Sequence, residues 1–326
     1  MLRAAAMSRW HVHADQYVRE IREHPDADIS VVWDEDAERG AAWAAELAVP
    51  FEPDLHRVLQ RDDVDAVSVT TPTSMHPDVM VAAANAGKHI FTEKVLATGM
   101  ADARRIARAV EDAGVQFCIS FPRRTIPAAL YAKQAAEQGL FGDITAVRIR
   151  IAHDGAVRDW LPAHFYDPAT TGGGAMMDLG AHGMYLCRWL LGKPARIVSV
   201  FNTVTGRAVD DNTVSVIEFA SGAIAVNETS FTSFGGAYTL EIDGTEGGYR
   251  MLSPSDVQVR SKHLYGTKWQ QPASLPAAHA KPVDQWIAGC VSGAPIEFTI
   301  EDAVDLTELM AAAYEAAESG KSVAFS

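Results

Sequence analysis

Cysteine is scarce: Cys118, Cys187 and Cys290 are the three in 326 residues. They are odd in number and far apart. They make neither a metal-ligand spacing nor a disulfide framework, so a reducing compartment, the cytoplasm, is expected. No run of about 18 apolar residues occurs, and no membrane span is expected. The N-terminus has no charged-then-apolar-then-small signal pattern. Basic residues are outnumbered, 28 Lys and Arg against 42 Asp and Glu, for a net charge of −14. That argues against nucleic acid and against anionic membrane surfaces. It leaves a small polar substrate open, because one local Lys outweighs a global acid excess. There is no internal repeat and no low-complexity linker.

What is present is ample core material, 48% hydrophobic residues, in a length that suggests about two domains. Through residue 121 the pattern alternates strand and helix: strands over 2–7, 29–33, 64–70, 89–92 and 116–120, helices over 11–22, 37–47, 55–60, 78–86 and 101–113. This implies α/β architecture, a doubly wound parallel sheet covered on both faces. Past Pro122-Arg123-Arg124 the character changes. A helix over 127–137 and a strand over 144–152 precede a central helix, then β-type runs at 197–203, 213–219, 223–232, 238–243 and 256–260. Ser221-Gly222, Gly235-Gly236 and the stretch 244–248 suit antiparallel turns. Helices over 282–290 and 300–319 close the chain. The division expected is 1–121 for the first domain and 122–326 for an α+β domain with a mostly antiparallel sheet.

An open parallel sheet binds ligands at the carboxyl ends of its strands, and those ends carry chemistry here. After strand one stands Met7-Ser8-Arg9-Trp10-His11-Val12-His13, where a dinucleotide site normally has G-x-G-x-x-G. Aligned so, Met7, Arg9 and Val12 replace all three glycines. The helix N-terminus still offers amides to an anion, and Arg9, His11 or His13 can add donors. Strand two ends at Asp34, followed by Glu35 and Asp36. An acid there accepts from ribose hydroxyls and repels a 2′-phosphate, which favours NAD over NADP. Strand three runs into Thr70-Thr71-Pro72 and His76. Strand four runs into Glu93-Lys94, a charged pair leaving a buried strand. Taken alone, that pair also reads as a surface ion pair.

The second half is organised around 172–185, Gly-Gly-Gly-Ala-Met-Met-Asp-Leu-Gly-Ala-His-Gly-Met-Tyr. Three glycines lead into a helix on which Asp178, His182 and Tyr185 fall within roughly 60° of one another. Leu179, Leu186 and Leu190 form a second stripe suited to face a core. An acid, an imidazole and a phenol along one edge are costly to bury unless they have work or partners.

Taken in order, Thr71-Pro72 with His76, Ala86-Gly87-Lys88-His89 leading to Glu93-Lys94, Arg123-Arg124, the turn 139–144, the stretch 172–182, Asp211-Asn212, Ser221-Gly222 and Ile242-Asp243-Gly244-Thr245-Glu246-Gly247 make a set. On that set the chain resembles the glucose–fructose oxidoreductase and inositol dehydrogenase (Gfo/Idh/MocA) family over nearly its full length. The resemblance implies an N-terminal Rossmann-type domain and a C-terminal α+β domain. It implies an NAD(P)-dependent oxidoreductase acting on a secondary hydroxyl of a sugar, sugar derivative or cyclitol. Lys94 matches the Lys of the family's Glu-Lys-Pro motif, expected near nicotinamide and the substrate hydroxyl. Asp178 and His182 match its glycine-led motif, the Asp binding the sugar and the His exchanging the proton. Ser8, Trp10, His11, Val12, Asp34, Thr71, Pro72, His76, Glu93 and Lys94 are then candidates for the cofactor. Lys94, Arg124, His153, Trp160, Asp178, His182 and Tyr185 are candidates for the substrate, with Asp159 and His164 beside them. No residue is assigned to a metal. The chain departs from the family at Val95, in place of the motif proline, and at Tyr185, where relatives often carry an acid. Family members form dimers and tetramers, and the C-terminal sheet is the face expected to pair. Two other readings carry their own tests. One is a sugar-binding or regulatory protein that has lost its cofactor, motivated by the missing glycines. The other is a metal-dependent isomerase or lyase using Asp178 and His182 as ligands.

Overall fold

A computed structural model describes residues 1–264 and 267–325. The chain divides into two compact units, Met1–Phe121 with Ala280–Thr307, and Pro122–His279 with Glu308–Ser326. Residues 280–307, expected in the second domain, belong to the first unit. The helix Pro282–Ser292 packs on the first unit's own elements: Trp286 lies against Phe91, and the carbonyl of Pro282 accepts the Cys118 thiol.

The first unit is a five-stranded parallel sheet. Its strands are β1 (Leu2–Met7), β2 (Ala27–Trp33), β3 (Ala66–Val69), β4 (His89–Thr92) and β5 (Phe117–Ile119), in the order β2-β1-β3-β4-β5. β1 and β3 are apolar almost throughout because both faces are covered: Ala4, Ala5, Ala6, Met7, Ala66, Val67 and Val69 are all buried. Alanine on β1 leaves room for close-packed helices. Helix boundaries follow side-chain chemistry. Asp36 caps the helix Ala37–Leu47, its carboxylate accepting the Glu38 and Arg39 amides, and Gly114 in a left-handed conformation ends Met100–Ala113. The first helix spans Ala14–Glu23, so His11 and His13 stand in the turn before it, not inside it.

The second unit is an eight-stranded sheet. After β6 (Ile144–Ala152) come β7 (Pro194–Asn202), β8 (Asn212–Phe219), β9 (Ile224–Ser230), β10 (Ala237–Gly244), β11 (Gly247–Ser253), β12 (Asp256–Ser261) and β13 (Val323–Ala324). The order is β12-β11-β10-β6-β9-β8-β7-β13, antiparallel except where β6 runs parallel to β9. Period-2 burial, as on β8 with Thr213, Ser215, Ile217 and Phe219 inside, sets the register. The turn expected over 244–248 is shorter, and β11, for which the sequence pattern gives no strand, begins at Gly247. Glycine is needed at position 247 because the carbonyls of Arg260 and Leu140 come so close that a Cβ would stand 2.6 Å from each. Among the described residues no helix is long and apolar enough to cross a membrane.

The glycine run before the central helix is a packing requirement. A Cβ on Gly174 would lie 1.9 Å from the carbonyl oxygen of Asp210, and one on Gly173 the same distance from the Tyr314 hydroxyl. Gly174→Ala is therefore expected to destabilise the protein by about 2–3 kcal/mol, since a backbone atom cannot rotate aside. Denaturant unfolding checks this, and a loss under about 0.5 kcal/mol, as at an uncrowded site, would contradict it.

Candidate functional site

In the first unit, strand order reverses at β1, with β2 on one side and β3 on the other. That is the place where an open parallel sheet leaves a crevice at its carboxyl edge. The turn after β1 is made without glycine. Ser8 takes φ +73°, the left-handed region glycine ordinarily fills. Local bonds hold it there. The Ser8 amide donates to the Trp33 carbonyl (2.6 Å), its hydroxyl accepts the Trp10 amide (3.1 Å), and its carbonyl accepts the Thr70 hydroxyl (2.6 Å). Trp10 is buried and Val12 is half exposed. His13, at the N-cap of the helix Ala14–Glu23, makes no side-chain cap bond.

Asp34, expected at a ribose, is buried and already engaged. Its oxygens accept the Arg9 amide (2.8 Å), the Asp36 amide (2.9 Å) and the Arg39 guanidinium in two contacts (3.0 and 2.6 Å). Arg39 also pairs with Glu35 at 2.5 Å. Asp36 is a helix cap. Thr71 and Pro72 are buried at the end of β3, and the Thr71 Oγ1 has no hydrogen-bond partner. His76 turns to the backbone. Its Nδ1 lies 2.9 Å from the Val95 carbonyl and 3.2 Å from that of Leu96, so it braces the segment after Lys94. The Lys94–Val95 peptide is cis. Burial pushes the His76 imidazole below its ordinary value, against the pull of those carbonyls.

Glu93 and Lys94 are both buried. One Glu93 oxygen takes a short hydrogen bond from the Tyr17 hydroxyl. The same oxygen lies 3.1 Å from His13 Nδ1 and 4.0 Å from His11 Nδ1. Burial alone would raise the Glu93 carboxyl. The charges of His11, His13 and Lys94 and the His13 hydrogen bond outweigh it and hold Glu93 well below the usual carboxylate range. Tyr17, buried beside that carboxylate, is pushed well above its ordinary value.

In the second unit the central helix starts as a π-helical turn, Met176–Gly180, and continues as α-helix over Ala181–Leu191. Asp178 therefore sits on the wide turn, not on a regular α stripe. Asp210 anchors the start, its carboxylate accepting the Gly174 amide (2.9 Å), the Met176 amide (2.8 Å) and the Tyr314 hydroxyl (2.8 Å). His182 and Tyr185 meet: His182 Nδ1 is 2.9 Å from the Tyr185 hydroxyl, which also accepts the Arg123 amide at 3.1 Å. Burial keeps the Tyr185 phenol neutral. The Tyr185 hydroxyl thus joins the His182 ring to the backbone at Arg123, with Nδ1 on the bonded side and Nε2 on the other.

The softer candidates separate. His153 stacks on Phe231 with ring centres 4.8 Å apart, and Asp178 acts on it electrostatically. Trp160 is 53% exposed, bonds Asp154 through Nε1, and lies beside His153. Arg124 lies over the Trp189 ring at 5.3 Å. Asp159 pairs with Arg207 at an exposed position, and His164 tilts against Phe165. Four supporting residues escaped the sequence reading: Arg39, Tyr17, Asp210 and Tyr314. Only Arg39, four residues after Glu35, had a local spacing that could have marked it.

Two family models match the chain. The oxidoreductase family with an NAD-binding Rossmann fold (GFO_IDH_MocA) covers residues 11–121, and the GFO/IDH/MocA C-terminal domain covers 129–250. The scyllo-inositol 2-dehydrogenase (NAD(+)) of Bacillus subtilis (strain 168) is 32% identical over 247 residues, which are 73% of this chain and 69% of that protein. The levoglucosan dehydrogenase of Pseudarthrobacter phenanthrenivorans is 29% identical over 243 residues, 65% of this chain. The match spans only 62% of that dehydrogenase's length. The crystal structure of GenD2 from gentamicin A biosynthesis, in complex with NAD, superposes with a TM-score of 0.83 at 27% identity, covering 100% of this chain and 96% of that one.

His76 generates a pH prediction. Its folded value lies below its unfolded value of about 6.5, so the unfolded chain binds the extra proton. Stability is fully present above that pH and declines below it, by at most about 1.4 kcal/mol per pH unit for this one group. His76→Asn keeps a donor near Nδ1 and removes the titration. Its loss of unfolding free energy between pH 7.5 and 5.5 is expected to be the smaller, and equal losses in both proteins would contradict the assignment.

Proposed function

The chain belongs to the Gfo/Idh/MocA family of oxidoreductases, and from that premise we propose that it is an NAD-dependent dehydrogenase. Its substrate is the secondary hydroxyl of a sugar, sugar derivative or cyclitol. The observation that carries the reading is the His182–Tyr185–Arg123 arrangement, which holds a buried imidazole in a fixed orientation through Nδ1.

The first unit fits a dinucleotide on its own geometry. Ser8 supplies the left-handed turn that glycine would otherwise make, the following helix has no side-chain cap, and Thr71 offers a buried hydroxyl without a partner. Ser8, Trp10, His11 and Val12 would line the pyrophosphate turn, Asp34 the adenosine ribose, and Thr71, Pro72, Glu93 and Lys94 the nicotinamide end. His76 serves by bracing the chain after Lys94. Three consecutive acids, Asp34, Glu35 and Asp36, oppose a 2′-phosphate, and the adjoining Arg39 guanidinium is already paired with Asp34 and Glu35, so NAD is favoured. When bound, nicotinamide supplies a hydride acceptor.

The remaining chemistry belongs to side chains. His182 accepts the hydroxyl proton, and Tyr185, bonded at Nδ1, holds the ring in place as it does so. Lys94 donates to the reacting oxygen and stabilises the charge that develops on it. Asp178 binds a neighbouring hydroxyl, with His153, Arg124 and Trp160 as further contacts. The protein is expected to associate as a dimer or tetramer through the second unit's sheet, where Val198, Val200 and Ile224 stand exposed.

Titration with NADH and, separately, NADPH, followed by nicotinamide fluorescence, tests the cofactor. Saturable binding with NADH the tighter is expected, and no binding of either overturns the reading. With a polyol or sugar substrate found by screening, His182→Ala should lower kcat by about 100-fold or more while NADH affinity stays near the wild-type value. An unchanged kcat would sink the role of His182.

A further inference from the structure

The mouth of the first unit's sheet holds a cluster that the proton and hydride chemistry does not require. His11 and His13 bracket Val12 in the turn after β1, and Glu93 leaves the end of β4. One potential ligand atom from each of the three lies within 4.8 Å of the others. Around Glu93 Oε2 the separations are 3.1 Å to His13 Nδ1 and 4.0 Å to His11 Nδ1. A tetrahedral ion with bonds of about 2.0–2.1 Å keeps its ligand atoms about 3.4 Å apart. One separation is already in that range, and small side-chain rotations bring the others to it.

The ligand types narrow the ion. Two imidazole nitrogens and one carboxylate oxygen suit zinc and its first-row neighbours, whereas magnesium and calcium take oxygen sets. Surrounding contacts are those of a supported site. Tyr17 bonds Glu93 and also reaches Ser120 at 2.8 Å, which fixes the carboxylate. His11 Nδ1 accepts the His13 amide at 3.2 Å, a bond that coordination through this atom would replace. Glu93 and His11 are buried, and His13 is half-buried and gives the entry side.

We propose that His11, His13 and Glu93 form a site for one divalent transition-metal ion of the zinc class, with three protein ligands and an open fourth position. Coordination displaces the proton shared by His13 Nδ1 and Glu93, which is released to solvent. The site shares His11 and Glu93 with the proposed dinucleotide site, so ion binding is measured in the absence of dinucleotide.

The test uses the full chain, stripped with a chelator and without dinucleotide. Co²⁺ is added and followed by visible absorbance, and Zn²⁺ is added in competition with a chromophoric chelator. One equivalent is expected to bind, with an intense visible cobalt band. His13→Ala should weaken affinity at least tenfold, and so should Glu93→Gln, which preserves shape should the first variant unfold. His182→Ala should leave affinity unchanged. Failure of the wild-type chain to bind one equivalent at millimolar ion overturns the proposal, as does a loss in His182→Ala with none in either of the other two variants. A negative result here leaves the NADH titration to stand or fall separately.

Discussion

The Asp210 carboxylate is the constraint on which the arrangement of the second unit's candidate residues depends. A helix start leaves amides that must find acceptors, and this one is buried, so water cannot supply them. Asp210 takes two of those amides, from Gly174 and Met176, and is itself held by the Tyr314 hydroxyl. The approach is close enough to exclude side chains at positions 173 and 174. Where Asp178, His182 and Tyr185 project thus follows from an acid on the strand side and a phenol on the C-terminal helix. Further along, Gly183 lets Asn227 come against the helix, and Asn227 donates to the Gly180 carbonyl at 2.8 Å, so the widened turn is pinned at both ends.

The first unit meets a different difficulty, a sharp turn without glycine. Left-handed serine is unfavourable on its own, and it persists because three hydrogen bonds over-determine it. Arg39 extends the same network, reaching the Ser8 hydroxyl at 3.3 Å as well as Asp34. Turn, acid and guanidinium therefore form one unit, and any ligand at this edge of the sheet must be accommodated by all of it at once.

Strands and helices bounded by local chemistry were legible in the sequence. Leu2–Met7, Ala37–Leu47, His89–Thr92, Pro127–Glu137 and Ile144–Ala152 have the ends that apolar runs, an Asp cap and Pro suggest. What was not legible depends on distant partners. Gly247 looks like turn glycine until Leu140 and Arg260 are brought beside it. Tyr314 is 104 residues from Asp210, and no spacing rule connects them. Within the candidate site, His11, His13 and Glu93 were each noticeable as residues out of place, but only folding puts an imidazole from one strand end against a carboxylate from another. The π turn at Met176–Gly180 was invisible because its cause, the packing of Met176 and Asn227 around Gly180, is tertiary.

The return of Ala280–Thr307 to the first unit sets the order in which the chain can mature during synthesis. β5 receives a bond from this late segment, the Ile119 amide donating to the Phe298 carbonyl, and Phe121 and Phe91 meet Phe298 and Trp286 there. Until the ribosome has released these residues, the sheet's last strand and its aromatic flank have no cover. The first unit to emerge is then among the last to be completed, and the whole of the second unit's sheet up to β12 is made while it waits. Until then the nascent chain carries an uncovered strand edge, a surface on which premature association can begin.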